Sequence, residues 1–237
     1  MSSGYVTLSR QVGLFAEMGT IANNIANMST AGFRREGVVF TEYVTRGAPG
    51  GESVSMAAAH ARRIDLSQGT LDRTGGAFDL AIEGDGFFMV STPNGERLTR
   101  AGVFQPNDAG DLVTADGYFV LDEGGAPIFV PPDAGAVTVA PDGTISAGGR
   151  PLARLALVRP VDGADLEREG SALIATQDGL EPVPDSKILQ GFVEASNVNP
   201  VAEITRMIEV QRAYELGQAL AEREGERLTN VIKTLGR

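Results

Sequence analysis

Apolar residues recur at alternating steps of three and four at both ends of this chain, and that pattern restricts the fold more than any other feature. Near the start, Leu14, Met18, Ile21, Ile25 and Met28 are spaced 4, 3, 4 and 3 apart, the narrow seam of paired helices rather than the broad stripe of a helix lying on a globular core. Near the end, Met207, Val210, Tyr214, Gly217, Ala221, Glu224, Leu228, Val231 and Leu235 keep the same alternation, with Gly217 and Glu224 as its weak links. A continuous helix from Pro200 to Leu235 would be about 54 Å long at 1.5 Å per residue.

Polar residues punctuate both helices. Asn23, Asn24 and Asn27 crowd into one and a half turns at the first seam. Asparagine is a poor helix former because its amide competes for backbone groups, and polar groups at a seam set register at a cost in stability. These three, with Asn197 and Asn199, are assigned to register and capping. Asn199 followed by Pro200 makes a good helix start, an amide cap and then a residue with no N–H to leave unpaired. The capping-box acid falls one residue late, at Glu203. Residues 5–28 are expected to be helical, with Gly32 placed to end the helix in the left-handed conformation. A second apolar line, Leu8, Val12, Phe15 and Ala22, predicts that this helix is contacted on two sides.

Between the ends the pattern changes. Residues 36–75 are expected to form an extended connector. From Phe78 onward short apolar runs alternate with Asn94-Gly95, Asp116-Gly117, Asp142-Gly143 and Asp178-Gly179, which is an antiparallel β pattern. The expected strands are 87–90, 97–99, 112–114, 118–121, 128–130, 137–139 and 155–158, and the pair flanking Pro93-Asn94-Gly95 is the most secure hairpin. The expected fold class is α+β: long N- and C-terminal helices pairing as a coiled-coil-like unit, with a central, mainly antiparallel β domain inserted between them. Its domains would be a discontinuous helical assembly domain (1–35 and 195–237), the connector (36–75) and a protruding β-rich domain (76–194).

Composition narrows the function classes. The formal charge is −11, and residues 36–194 hold 11 basic against 24 acidic groups. Such a surface repels nucleic acid and anionic lipid, so no nucleic-acid partner is expected. No apolar run reaches the roughly 20 residues that span a bilayer, and the start lacks a signal-peptide pattern, so the chain is not expected to be membrane-inserted. There is no cysteine and His60 is the only histidine, which leaves little for a zinc site or a nucleophilic triad. Asn107-Asp108-Ala109-Gly110-Asp111 has oxygen ligands but no bidentate Glu at calcium-loop spacing. Gly84-Asp85-Gly86 lacks the third glycine and following helix of a dinucleotide loop. Accordingly no catalytic residue, cofactor or metal is expected, and the chain is not expected to be an enzyme.

Taken together, Asn23-Asn24-Ile25-Ala26-Asn27 with Thr30-Ala31-Gly32-Phe33, and Ser196-Asn197-Val198-Asn199-Pro200 with Gln211-Arg212-Ala213-Tyr214, resemble the bacterial flagellar rod and hook proteins. Three central stretches resemble the same family: Ser67-Gln68-Gly69, the run from Phe78 to Phe88, and Thr99-Arg100-Ala101-Gly102-x-Phe104. The opening from Gly4 to Gln11 and the short length are most similar to proximal rod proteins, whereas Gln211 to Tyr214 is closer to the distal rod pattern. The resemblance implies a structural subunit that polymerises through its terminal helices into the torque-transmitting rod. Its partners would be further copies of itself and neighbouring rod proteins in a helical tube, and the flagellar export apparatus. Its place would be the periplasmic rod of the basal body, reached through type III export without a cleaved signal. The seam residues Leu14, Met18, Ile21, Ile25, Met28, Met207, Val210, Tyr214, Leu228 and Val231 would be assembly contacts, and the terminal helices would order fully only on assembly. The first alternative is a distal rod subunit, and the second is a dimeric, non-catalytic binding module built around the acidic β domain.

Overall fold

The computed structural model describes residues 2–45 and 54–235, with side chains described for 8–39, 63–227, 229, 230, 233 and 234. Two long helices bracket the chain: α1 (Ser2–Ala26) and α2 (Pro200–Leu235). The chain divides into two compact units, one made of residues 1–26, 36–65 and 199–237, the other of 27–35 and 66–198.

In the first unit α1 and α2 pack together, and α1 also packs against a hairpin of β1 (Glu36–Thr45) and β2 (Val54–Ile64). The hairpin is antiparallel from Glu36 opposite Ile64 to Thr45 opposite Val54, with a register shift at Val39/Phe40. It occupies much of the stretch expected as a connector.

The expected fold class needs correction here. An α+β chain with a central antiparallel β region is present, but the two helices do not make a coiled-coil-like unit of their own. A coiled coil buries an apolar a/d seam against its partner helix. Here the buried line of α1 runs one residue earlier, through Gly13, Glu17, Thr20, Ile21 and Asn24, and is largely polar. Of the predicted seam, Ile21 and Val210 are buried, whereas Leu14, Met18, Ile25, Met207 and Tyr214 are half-buried. Met28 lies beyond the helix end and is exposed. The physical reason is that α1 serves a hairpin as well as a helix, and the backbone of β1 needs polar partners that an apolar seam lacks.

The second unit is antiparallel throughout. Its first strands are β3 (Leu71–Arg73), β4 (Leu80–Glu83), β5 (Phe87–Thr92), β6 (Gly95–Thr99), β7 (Phe104–Pro106), β8 (Leu112–Thr114) and β9 (Phe119–Val120). β10 (Val137–Val139), β11 (Thr144–Ala147) and β12 (Arg150–Arg154) form a separate three-stranded sheet. The last strands are β13 (Leu157–Pro160), β14 (Leu166–Glu169), β15 (Leu173–Thr176), β16 (Leu180–Pro182), β17 (Lys187–Gln190) and β18 (Phe192–Glu194). The main sheet runs β14-β15-β6-β5-β9-β8-β7, and β13 joins it beside β5 and carries β16.

The β5–β6 hairpin turns at Pro93-Asn94, with Thr92 opposite Gly95, as the sequence predicts. Of the other expected strands, Ile128–Val130 contributes only an isolated bridge, Phe129 to Asp111. Chain closure comes late, since β17 pairs with β4 and β18 with β3. The core gathers Leu80, Ile82, Phe88, Val90, Phe104, Leu112, Val120, Ile128, Ile145, Leu155 and Ile188. Phe88 meets Phe104 edge-on at 5.2 Å, a favoured aromatic geometry.

Candidate assembly surfaces and the buried polar node

In the first unit the polar line of α1 has specific partners. Asn24 is fully buried, donates from Nδ2 to the Glu36 carbonyl (2.8 Å) and accepts at Oδ1 from the Glu36 N–H (2.9 Å). Its amide therefore serves both backbone groups at the start of β1, the NH2 as donor and the oxygen as acceptor. The same Nδ2 donates to Oε2 of the buried Glu203 (3.1 Å), so the acid that falls late for a capping box tethers α2 to α1 instead. About two turns earlier, Glu17 accepts from Arg206 Nε at 2.8 Å. That hydrogen bond holds the Arg206 guanidinium above its ordinary pKa. Gln11 donates to the Tyr214 carbonyl (3.1 Å).

Asn199 Oδ1 accepts from the Ala202 N–H (3.1 Å) with Pro200 as the first helical residue. Asn199→Ala should cost the isolated chain about 1 kcal/mol, read as a lowered urea midpoint with an unchanged slope. Asn23 is half-buried on α1. Asn27 lies just past the helix end and its Oδ1 accepts from Thr30 Oγ1 at 3.1 Å. The side chains of His60, Leu228 and Val231 lie outside the described residues.

The second apolar line predicted for α1 faces outward. Leu8, Val12 and Phe15 are 61%, 62% and 68% exposed, and Gly19 and Ala22 continue the line in the open. On α2, Val201, Ile204, Ile208, Leu216 and Leu220 are all exposed, from 46% to 74%. Single exposed apolar residues are ordinary, whereas a contiguous row of them marks an interaction surface.

In the second unit five motif stretches meet at one buried node. Glu194 is fully buried. Its Oε1 lies 2.6 Å from Arg34 Nη1 and its Oε2 lies 3.0 Å from Arg100 Nη1. The Gly69 N–H also donates to Oε1 (2.8 Å). Arg34 Nη1 donates to the Ser67 carbonyl (2.6 Å), and Arg100 Nη2 to the Gly84 carbonyl (2.7 Å). Burial pulls Arg100 below its ordinary pKa, opposed by the charge of Glu194, and an arginine remains cationic throughout. The Arg100 guanidinium also covers the Phe87 ring at 5.2 Å, so the start of β5 is buried on both faces at Phe87 and Phe88.

Close backbone approach explains the glycines of this node. Gly32 does not cap α1, which ends six residues earlier; its φ is +67° and its N–H donates to the Glu194 carbonyl at 2.7 Å. A Cβ on Gly32 would sit 2.1 Å from Ala101 N, and one on Gly69 2.1 Å from the Ala195 carbonyl oxygen. Asn197 ties the same stretches of chain together: its Oδ1 accepts from the Arg35 N–H (2.6 Å) and its Nδ2 donates to the Ser67 carbonyl (2.9 Å). Spacing rules missed Arg34, Arg100 and Glu194 as site residues, although each lies within or beside a quoted motif.

Asn107 Oδ1 accepts from the N–H groups of Ala109 and Asp111, so this loop is built as an Asx turn. No group of three or more acidic, His or Cys side chains placed to hold a metal occurs among the described residues. No helix among them is long and apolar enough to cross a membrane.

Asn24, Arg34, Arg100, Glu194 and Glu203 all lie in segments matched by family models. Residues 14–34 match the flagella basal body rod protein model, 81–147 the D1 domain of flagellar hook protein FlgE/F/G, and 189–233 the C-terminal model of flagellar basal body rod FlgEFG protein. The flagellar basal-body rod protein FlgF of Caulobacter vibrioides is 41% identical across 98% of this chain and 97% of its own length. The chain belongs to the flagellar basal-body rod family. FlgF of Mesorhizobium japonicum is also 41% identical, over 98% of this chain and 97% of its own. FlgG of Bacillus subtilis is 33% identical over 98% of each, so the chain is FlgF-like and the FlgG resemblance is the weaker one. It is a structural subunit of the flagellar rod, located in the basal body and assembling with other rod components. In the Arg34–Glu194–Arg100 node of this rod protein, Arg100 lies within the Thr99–Phe104 stretch, while Arg34 and Glu194 stand beside the Thr30–Phe33 and Ser196–Pro200 stretches.

Proposed function

We propose that this subunit polymerises through its terminal helices, with copies of itself and with neighbouring rod proteins, into the tube that transmits torque. The observation that carries the reading is the outward apolar line of α1, matched by the exposed apolar residues of α2. Assembly removes these rows from water, at about 25 cal/mol for each Å² of apolar surface buried. The half-buried Leu14, Met18, Ile25, Met207 and Tyr214 widen the contact, while the polar contacts of Asn24, Glu17 and Glu203 hold α1 and α2 in register. The unit that carries α1 and α2 acts as the assembly domain and the β-rich unit as the protruding domain. The chain is non-catalytic, and the export apparatus delivers it to the periplasm. Marginal helices support delivery: Gly217 and Gly225 each weaken α2 by about 1 kcal/mol relative to alanine, and packing supplies most helix stability.

Phe15→Asp tests the reading. Because Phe15 is exposed, the isolated chain should keep its stability within about 0.5 kcal/mol. The strain should nevertheless lose swimming, with the variant exported but missing from purified basal bodies. A motile strain with the variant in its rods would refute assembly through this face.

A further inference from the structure

The main sheet of the second unit has an outer face that the helices' role leaves unexplained. Residues directly opposite each other on neighbouring strands share a face. Gln105, Val113, Phe119, Ser91 and Glu96 form one such cross-strand row, and Asp111 lies opposite Phe129. The alternate residues Leu112, Val120, Ile128 and Val130 point into the core, which places Phe119, Phe129, Val113 and Asp111 on the opposite face of the sheet.

Phe129 is 50% and Phe119 37% exposed, while Val113, between the acidic turns, is buried. A Cβ on Gly110 would come within 2.8 Å of Phe129 Cε2, so the ring rests on bare backbone in a set orientation. An exposed ring held in this way suits an interface anchor, because little of its side-chain freedom remains to be lost.

Charge decides what could cover this face. Residues 101–149 contain no lysine, arginine or histidine but seven carboxylates. Asp111 stands beside Phe129, Asp108 and Asp116 occupy the adjoining turns, and Glu96 ends the row. An acidic or neutral partner would desolvate these groups with nothing in return.

We propose that this face docks a cationic protein segment, one that seats an apolar side chain or an arginine stem on Phe119 and Phe129 and sets its basic groups against Asp111, Asp108 and Asp116. Arginine would also gain from lying over the rings. The partner is a protein of the basal body other than through the terminal helices, and the contact is separate from rod polymerisation.

Photocrosslinking tests this in assembled basal bodies. The full-length chain carries p-benzoylphenylalanine in place of Phe129, and retained swimming shows that it is built into the rod. Mass spectrometry of the joined peptide should find a segment of net positive charge containing an apolar or arginine residue at the crosslink. Combining Asp111→Asn and Asp116→Asn with Phe119→Ala should cut the yield about tenfold, the effect of losing one strong anchor. A crosslink to an acidic or uncharged peptide, a crosslink to glycan, or no crosslink in a motile strain would each overturn the proposal.

Discussion

Glu194→Ala is expected to unfold the β-rich unit while leaving the chemistry of its surface untouched. The carboxylate is the anion between two guanidiniums that are themselves 1% and 3% exposed. Removing it leaves two buried like charges and strips the Gly69 N–H of its partner. Breaking a buried ion pair by deleting one member costs about 3–5 kcal/mol, a large part of the 5–15 kcal/mol by which a whole domain is stable. Urea unfolding followed by far-UV circular dichroism should show the midpoint collapsing. A second variant separates charge from shape: joining Glu194→Leu with Arg34→Met and Arg100→Met removes every charge of the node and should recover most of the loss, since apolar replacement of a buried ionic cluster is often neutral or stabilising. A single variant with an unchanged midpoint would show that the node is not what closes this unit.

Gly102→Ala is expected to be nearly as damaging through steric contact alone. Its Cβ would fall 1.6 Å from the Leu80 carbonyl oxygen and 3.2 Å from the Phe88 ring. The obstruction is backbone, and the same two residues are joined by the Leu80 N–H donating to the Gly102 carbonyl at 2.8 Å. Relief requires β4 to move away from the core, which also carries its pairing with β17. Overpacking of this kind costs about 3 kcal/mol or more where the neighbour cannot give way. Gly225→Ala is the control, because a Cβ there meets nothing within 4 Å and removes a helix-interior glycine; its helix should gain rather than lose stability.

Much of this was legible in the sequence because it depends on local rules. Asn199-Pro200 marks the start of α2 to the residue, and Asn94-Gly95 marks the β5–β6 hairpin. The outward line of α1 was visible as a second heptad phase. The buried line was not, because hydrophobicity draws the eye to Leu14, Met18 and Ile25, whereas the packing centre is Glu17, Thr20 and Asn24. Polar residues become interior only when particular partners arrive, and Glu203 and Arg206 come from the other end of the chain. The same limit hid the Arg100–Glu194 pair, whose members are 94 residues apart. Periodicity carries no information about such a meeting. The glycines of the motifs were clues of a different kind: Gly32, Gly69 and Gly102 stand where two stretches of backbone touch.

The chain contains no cysteine, so a single introduced thiol reports on one position. Phe15→Cys and Leu216→Cys place thiols on the two outward helix faces, and Asn94→Cys places one on a hairpin turn of the β-rich unit. The measurement is the rate of maleimide labelling in the dilute monomer and in purified basal bodies. Polymerisation through the terminal helices predicts fast labelling of all three in the monomer and strong protection of positions 15 and 216 in the rod, with position 94 serving as the reference. Equal labelling of positions 15 and 216 in monomer and rod would contradict assembly through these faces.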